Sequence, residues 1–309
     1  MTIDSLKRVN RPKMALLAAV ASCITVAGLI VIKAFAYLAS GSTSVLASLI
    51  DSIVDAAVSL INFLAIHHSL KPADENHRHG HGKIEGLAAL MQGAFICGAA
   101  VFLSFESLQR LADPHPVSAH GLAIAVMVVS VVLSVGLVLV QNYTLYHAPS
   151  LAVQADRAHY SSDILMNGGV ILALVAQSYG APSWVDVAFA LIVSLWMFVS
   201  VYKISFKAID MLLDRELPVE VRERILSIIR SHKGVHDVHD LRTHMSGMRA
   251  RVFFDIEIDP DMTLACAHAV SKEVEQAILK EFPNAEIMIH KDPVGEIEDS
   301  RHTVKGIHH

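Results

Sequence analysis

The chain is 309 residues long, 53% hydrophobic and only 18% charged, with a mean hydropathy of +0.47. That is too apolar for an ordinary soluble domain and reads as a polytopic membrane protein. A formal net charge of -5 and a pI near 6.4 exclude a general nucleic-acid surface or a polybasic tail.

In chain order, Lys7, Arg8, Arg11 and Lys13 precede an apolar run over 14–39. That run is well beyond the ~7–15 residues of a signal-peptide core, so it is read as a retained membrane helix. Helices at ~1.5 Å per residue can cross ~30 Å of hydrocarbon. Six segments qualify, at about 14–40, 43–70, 86–112, 118–146, 150–179 and 183–212. The breaks "SGSTS", "KPADENHRHGHGK", "DPHP", "HAPS" and "YGAPS" are turn-like or polar. Lys71, Arg78 and Lys83 join the N-terminal cations on one side, while the other offers little beyond Arg110, with Lys33 within snorkelling reach. Both termini are therefore expected in the cytoplasm.

Beyond about residue 213 the composition becomes that of a soluble domain. "PVEVRERILSIIRSHKG" has helical spacing, with Pro218 suited to a first turn and Gly234 to the end. "RARVFFDIEID" alternates, Val252, Phe254, Ile256 and Ile258 pointing one way. A turn at 246–247, a helix from "TLACAHAVSKEVEQAILKEF" and a strand from "AEIMIHKD" complete an αββαβ order. The fold class is an all-α six-helix transmembrane bundle over 1–212, followed by an α+β C-terminal domain over 213–294 and a polar tail over 295–309.

Eighteen histidines stand against three cysteines, Cys23, Cys97 and Cys266, which lack CxxC spacing. Imidazole is the commonest biological metal ligand, and disulfides are not implied. The second span places Asp51 and Asp55 ~12–18 Å below the outer face, and the fifth places His159 and Asp163 ~13–20 Å above the inner one. Each pair is spaced i, i+4, which sets both side chains on one helix face. If the faces oppose, three carboxylates and an imidazole converge, the ligand count of a tetrahedral divalent-metal site without sulfur. Such ligands suit zinc and also admit Fe(II), Mn, Co or Cd. A lone aspartate at such depth would instead pair with Lys33 or face a watery gap; four ionisable groups at matched depth point to a metal or proton pathway. Asn167 extends the stripe, or serves interhelical hydrogen bonding. The loop "ADENHRHGHGK" is a second metal candidate, or else a solvated basic loop. Exposed histidines such as His232 and His236 are read as surface decoration.

The "DSIVD" and "HYSSD" pairs, the "PADENHRHGHGKIEGLAAL" loop and "IHKDP" resemble the cation diffusion facilitator family, in particular its bacterial zinc, iron and cadmium antiporters. The likeness runs from the first span to about residue 294. It implies a homodimeric, multi-pass exporter of Zn2+ and related divalent cations in the bacterial inner membrane, driven by inward proton flow. A cytoplasmic metallochaperone-like domain and no nucleic-acid partner are expected. It implies Asp51, Asp55, His159 and Asp163 as transport-site ligands, a set associated with less strict metal choice. It further implies Asp74, His77 and His81 as a loop site, and His239, Asp255, His268, His290 and Asp292 as a cytoplasmic-domain site holding regulatory or structural Zn2+. An ion pair between Lys83 and Asp214 is also suggested by the resemblance. Asp255 stands where relatives carry a histidine, which makes that ligand a harder oxygen. The protein is accordingly read as a secondary active transporter and not an enzyme. A metal-gated channel, a membrane metal sensor and a membrane-embedded hydrolase are the alternatives. Against the last, the chain has neither HExxH nor a Gly-x-Gly-Asp context.

Overall fold

The computed structural model describes residues 6–7, 11–112, 121–179, 182 and 184–295. The expected "DPHP" break and the tail beyond Gly295 lie outside the described residues. The chain divides into two units, Arg11–Ile209, and Asp210–His309 together with Met1–Asn10.

The first unit is helical. Its elements are α1 (Pro12–Ser40), α2 (Thr43–Ser69), α3 (Ile84–Ala112), α4 (Gly121–His147), α5 (Leu151–Ser178) and α6 (Trp184–Leu212), α6 running on into the second unit. Pro12 opens α1, where a missing N–H costs nothing. Gly41 closes it at φ 62, its N–H bonding the Tyr37 carbonyl, a left-handed cap that favours glycine. Five of the six helices are long and apolar enough to cross a bilayer. The sixth, α5, matches them in length at 28 residues but carries Asp156, Arg157, His159 and Asp163. Its polarity is buried by neighbours, for α5 packs against α2, α3 and α4, while α1 packs against α2 and α4. The polarity of the unit is that of a membrane protein. Leu17, Ile24, Phe35 and Leu139 are exposed, whereas Ser22, Asn62, Gln92, Gln141 and Asp156 are buried between helices.

The second unit comprises α7 (Val219–Arg230), β1 (Asp237–Ser246), β2 (Arg249–Ile258), α8 (Leu264–Glu281) and β3 (Glu286–Pro293). The sheet order is β1-β2-β3, with β1 antiparallel and β3 parallel to β2. The alternation in β2 falls as its spacing predicts, with Val252, Phe254, Ile256 and Ile258 buried against Val221, Ile225 and Ile229 of α7 and Val274 and Ile278 of α8. Two details differ from the sequence reading. The hairpin turns through Gly247 and Met248, because Ser246 still pairs with Arg249. Helix α7 stops at Arg230, well short of Gly234. Gly234 answers a packing need instead, since a Cβ there would sit 2.8 Å from the Val270 side chain.

Candidate metal sites

The intramembrane group is built where α5 meets α2. His159 Nε2 lies 3.1 Å from Asp55 Oδ1 and 3.7 Å from Asp163 Oδ2. The side chains of His159, Asp55 and Asp163 are 12%, 14% and 16% exposed, enclosed yet reachable. One ligand atom from each lies within 4.8 Å of the others, close enough for one ion to bridge. Asp51, a turn earlier on α2, falls outside this group, although it is within electrostatic range of Asp55, Lys33 and His159. Lys33 donates instead to the Ser48 carbonyl at 3.0 Å and Ser52 Oγ at 2.6 Å. Asn167 Nδ2 donates to the Asp163 carbonyl within its own helix at 2.9 Å.

Three supports hold α5 in register, and spacing along the chain reveals none of them. Tyr160, buried beside His159, shares a 2.9 Å hydrogen bond with Ser59 of α2. Asp156 accepts from Ser22 Oγ of α1 at 2.6 Å, Gln92 Nε2 of α3 at 2.8 Å and Gln141 Nε2 of α4 at 2.7 Å. Glu85 of α3 is fully buried and accepts from Ser150 Oγ at 2.6 Å and the Leu151 N–H at 3.0 Å, a carboxylate at the positive end of α5.

In the loop, ligand atoms of Asp74, His77 and His81 lie within 4.8 Å of one another. Asp74 Oδ1 is 3.3 Å from His77 Nδ1, and its Oδ2 is 3.3 Å from His81 Nε2. Hydrogen bonds from the backbone N–H groups of His77 and Asn76 hold the Asp74 carboxyl below the usual carboxylate range. Gly80 turns the loop at φ 73, its N–H bonding the His77 carbonyl. His68, at the end of α2, meets the His81 ring edge-on at 4.9 Å, a neighbour that the "HH" of α2 offered and the loop motif concealed.

In the second unit, His239, Asp255 and Asp292 form a third group from three adjacent strands. A bulge between His239 and Arg242 sets His239 opposite Asp255, and Asp255 pairs in turn with His290. His239 Nε2 is 3.4 Å from Asp292 Oδ2, and His290 Nε2 is 3.0 Å from Asp292 Oδ1. Glu257 approaches the His239 imidazole at 3.9 Å and had no place in the sequence reading. Burial pushes the Asp255 carboxyl up, with Asp240 and Asp292 adding to the effect. Asp292 Oδ2 is buried without a hydrogen bond, which suits an oxygen reserved for a cation. His268 is exposed on α8 and is not brought into this group, contrary to expectation. Asp214 faces His244 at 3.4 Å within its own unit.

Residues 18–213 match the family described as the cation efflux transmembrane domain, and residues 217–294 match the cytoplasmic domain of cation efflux proteins. A cation-efflux pump FieF of Escherichia fergusonii is 42% identical over 276 residues, 89% of this chain and 92% of the relative. A namesake from Klebsiella pneumoniae subsp. pneumoniae is 41% identical over 278 residues, with the same two coverages of 89% and 92%. Among solved structures, the metal-bound C-terminal domain of the CzcD transporter from Thermotoga maritima is 26% identical, with a TM-score of 0.25. The match covers 26% of this chain and 94% of that one. With both units matched and two-fifths identity sustained across nearly nine-tenths of its length, the chain belongs to the cation efflux family, the cation diffusion facilitators.

Proposed function

We propose that the chain exports divalent transition-metal cations from the bacterial cytoplasm in exchange for protons, with Zn2+ the foremost substrate and Fe2+ and Cd2+ alternatives. As a member of the cation efflux family it is a membrane transporter and not an enzyme. The observation that carries the reading is the Asp55, His159 and Asp163 group at the junction of α2 and α5. Carboxylate and imidazole must shed protons to bind a metal. At 3.1 Å, the His159 to Asp55 contact suits a shared proton. A tetrahedral ion bonded at ~2.0–2.2 Å would hold the same two atoms slightly further apart. The pair thus takes a proton or a metal in turn, and Asp51 is the ligand that would join when metal binds. Rocking of helices exposes the group to each side alternately, with both termini in the cytoplasm of an inner-membrane homodimer.

In this reading residues 1–212 carry transport. Residues 213–294 bind regulatory or structural Zn2+ through His239, Asp255, His290 and Asp292, and so tie two subunits' domains together. Asp74, His77 and His81 hold a further ion.

Purified protein in proteoliposomes tests it. A proton gradient should drive Zn2+ accumulation against its own gradient, and Asp51→Ala, Asp55→Ala or His159→Ala should cut that flux at least ~100-fold. Zn2+ flux that only runs downhill and ignores the proton gradient would identify a channel. Undiminished transport by His159→Ala would overturn the site.

A further inference from the structure

A cleft of about 220 Å³ opens between α4, α5 and α6, away from the metal group. Its polar wall is formed by Arg157, Lys203 and Lys207 with Asn142 and Gln154, and none of its lining residues is acidic. Arg157 donates to Asn142 Oδ1 at 2.8 Å and Lys207 to Gln154 Oε1 at 3.3 Å. Neutral amides therefore orient two of the three cations without cancelling their charge. Such a concentration of unbalanced positive charge repels a metal ion and attracts an anion.

Depth narrows the choice of anion. Asn142 lies five residues before the end of α4, Arg157 six after the start of α5, and Lys207 five before the end of α6. These three helix ends lie on one side of the unit, since α5 begins where α4 ends and α6 returns toward the start of α5. Helices of 27, 28 and 29 residues span ~40–44 Å and overhang a ~30 Å hydrocarbon core by ~5–7 Å at each end. Arg157 and Lys207 then stand near the boundary where lipid phosphates lie, and Lys203, one turn deeper on α6, is within snorkelling reach of it. Trp196, about two turns deeper than Lys203 on α6, adds an apolar wall. The volume matches about seven waters at ~30 Å³ each, room for a phosphodiester and its glycerol.

We propose that this cleft binds the phosphate of an anionic phospholipid, whose headgroup sits on Arg157, Lys203 and Lys207 and bridges α6 to α4 and α5. Arg157 and Ser161 each stand two residues from a metal ligand, about 200° around α5. The lipid therefore occupies the face of α5 opposite His159 and Asp163, and loads the helix that carries them without touching the ion.

The test uses the full chain in detergent, delipidated and titrated with phosphatidylglycerol or phosphatidylcholine, with bound lipid counted by native mass spectrometry. Phosphatidylglycerol should be retained where phosphatidylcholine is not. Replacing all three cations by glutamine should weaken its retention about a hundredfold. Lys203→Gln alone, at an exposed position, should weaken it about fivefold and keeps the answer readable if the triple variant does not fold. Equal retention of the two lipids, or of phosphatidylglycerol by wild type and both variants, would refute the site. Displacement of the lipid by millimolar inorganic phosphate would show a small-anion site and overturn the lipid assignment.

Discussion

Asp156 shows what a single residue contributes that a motif search does not register. The i, i+4 spacing of His159 and Asp163, and of Asp51 and Asp55, was legible because a helix repeats locally. Asp156 sits off that spacing, and its partners Ser22, Gln92 and Gln141 come from three other helices, 134, 64 and 15 residues away. Nothing local marks them as neighbours. A buried carboxylate that satisfies three donors is costly to remove, because each donor is left unpaired away from water. Interhelical hydrogen bonds in membranes average ~0.6 kcal/mol apiece, so Asp156→Ala should cost about 2 kcal/mol. Asp156→Asn, which keeps one acceptor oxygen, should lose less. Thermal unfolding in detergent checks the order wild type, then Asn, then Ala; an alanine variant as stable as wild type would show that the network contributes nothing. The fourth ligand of the proposed transport site is a converse case. Spacing named Asp51, yet it lies outside the group formed by Asp55, His159 and Asp163.

At the scale of elements, the αββαβ order and the buried face of β2 were readable from period and turn chemistry. The bulge at His239 was not. One extra residue shifts the register between His239 and Arg242, with Asp240 at φ 51 and Leu241 buried, and no pattern of apolar residues encodes that shift. The same bulge decides which ligands meet, placing His239 among Asp255, Glu257 and Asp292. Helix contacts in the membrane are equally silent in the sequence. Gly169 of α5 makes room for the Phe189 side chain of α6: an added Cβ would lie 2.3 Å from the ring. A flat ring cannot yield there without turning or parting the helices, so Gly169→Ala should destabilise by about 1–3 kcal/mol. Thermal unfolding would show the loss, and Phe189→Leu in the same chain should restore most of it; failure of that rescue would point away from the contact.

Across the whole chain, residues 6 and 7 belong with the second unit and not with the helices they precede. Leu6 lies in the core of the second unit, and Lys7 Nζ is 2.6 Å from Glu281 Oε1. Composition assigned those residues to the membrane arm because they precede its first span, and a contact across some 270 positions leaves no trace in either local stretch. Arg224 of α7 completes the cluster, its Nε 2.9 Å from both Glu281 oxygens. These bonds, Arg224's first and then Lys7's, hold the Glu281 carboxyl down at about 2 against an ordinary 4.5. The folded protein therefore binds that proton less tightly than the unfolded chain does. The stabilisation is fully present above pH 4.5 and is lost as pH falls toward about 2. Because the cluster is partly exposed, its worth at neutral pH is about 1 kcal/mol. Glu281→Gln should lower the hydrogen-exchange protection of α7 and α8 at pH 7 by a few-fold. The gap between variant and wild type should narrow steadily through pH 4 and 3. A gap of the same size at pH 3 as at pH 7 would mean that the glutamine acts by packing, and that the charges of Lys7 and Arg224 do not hold α8 to α7 and the N-terminal arm.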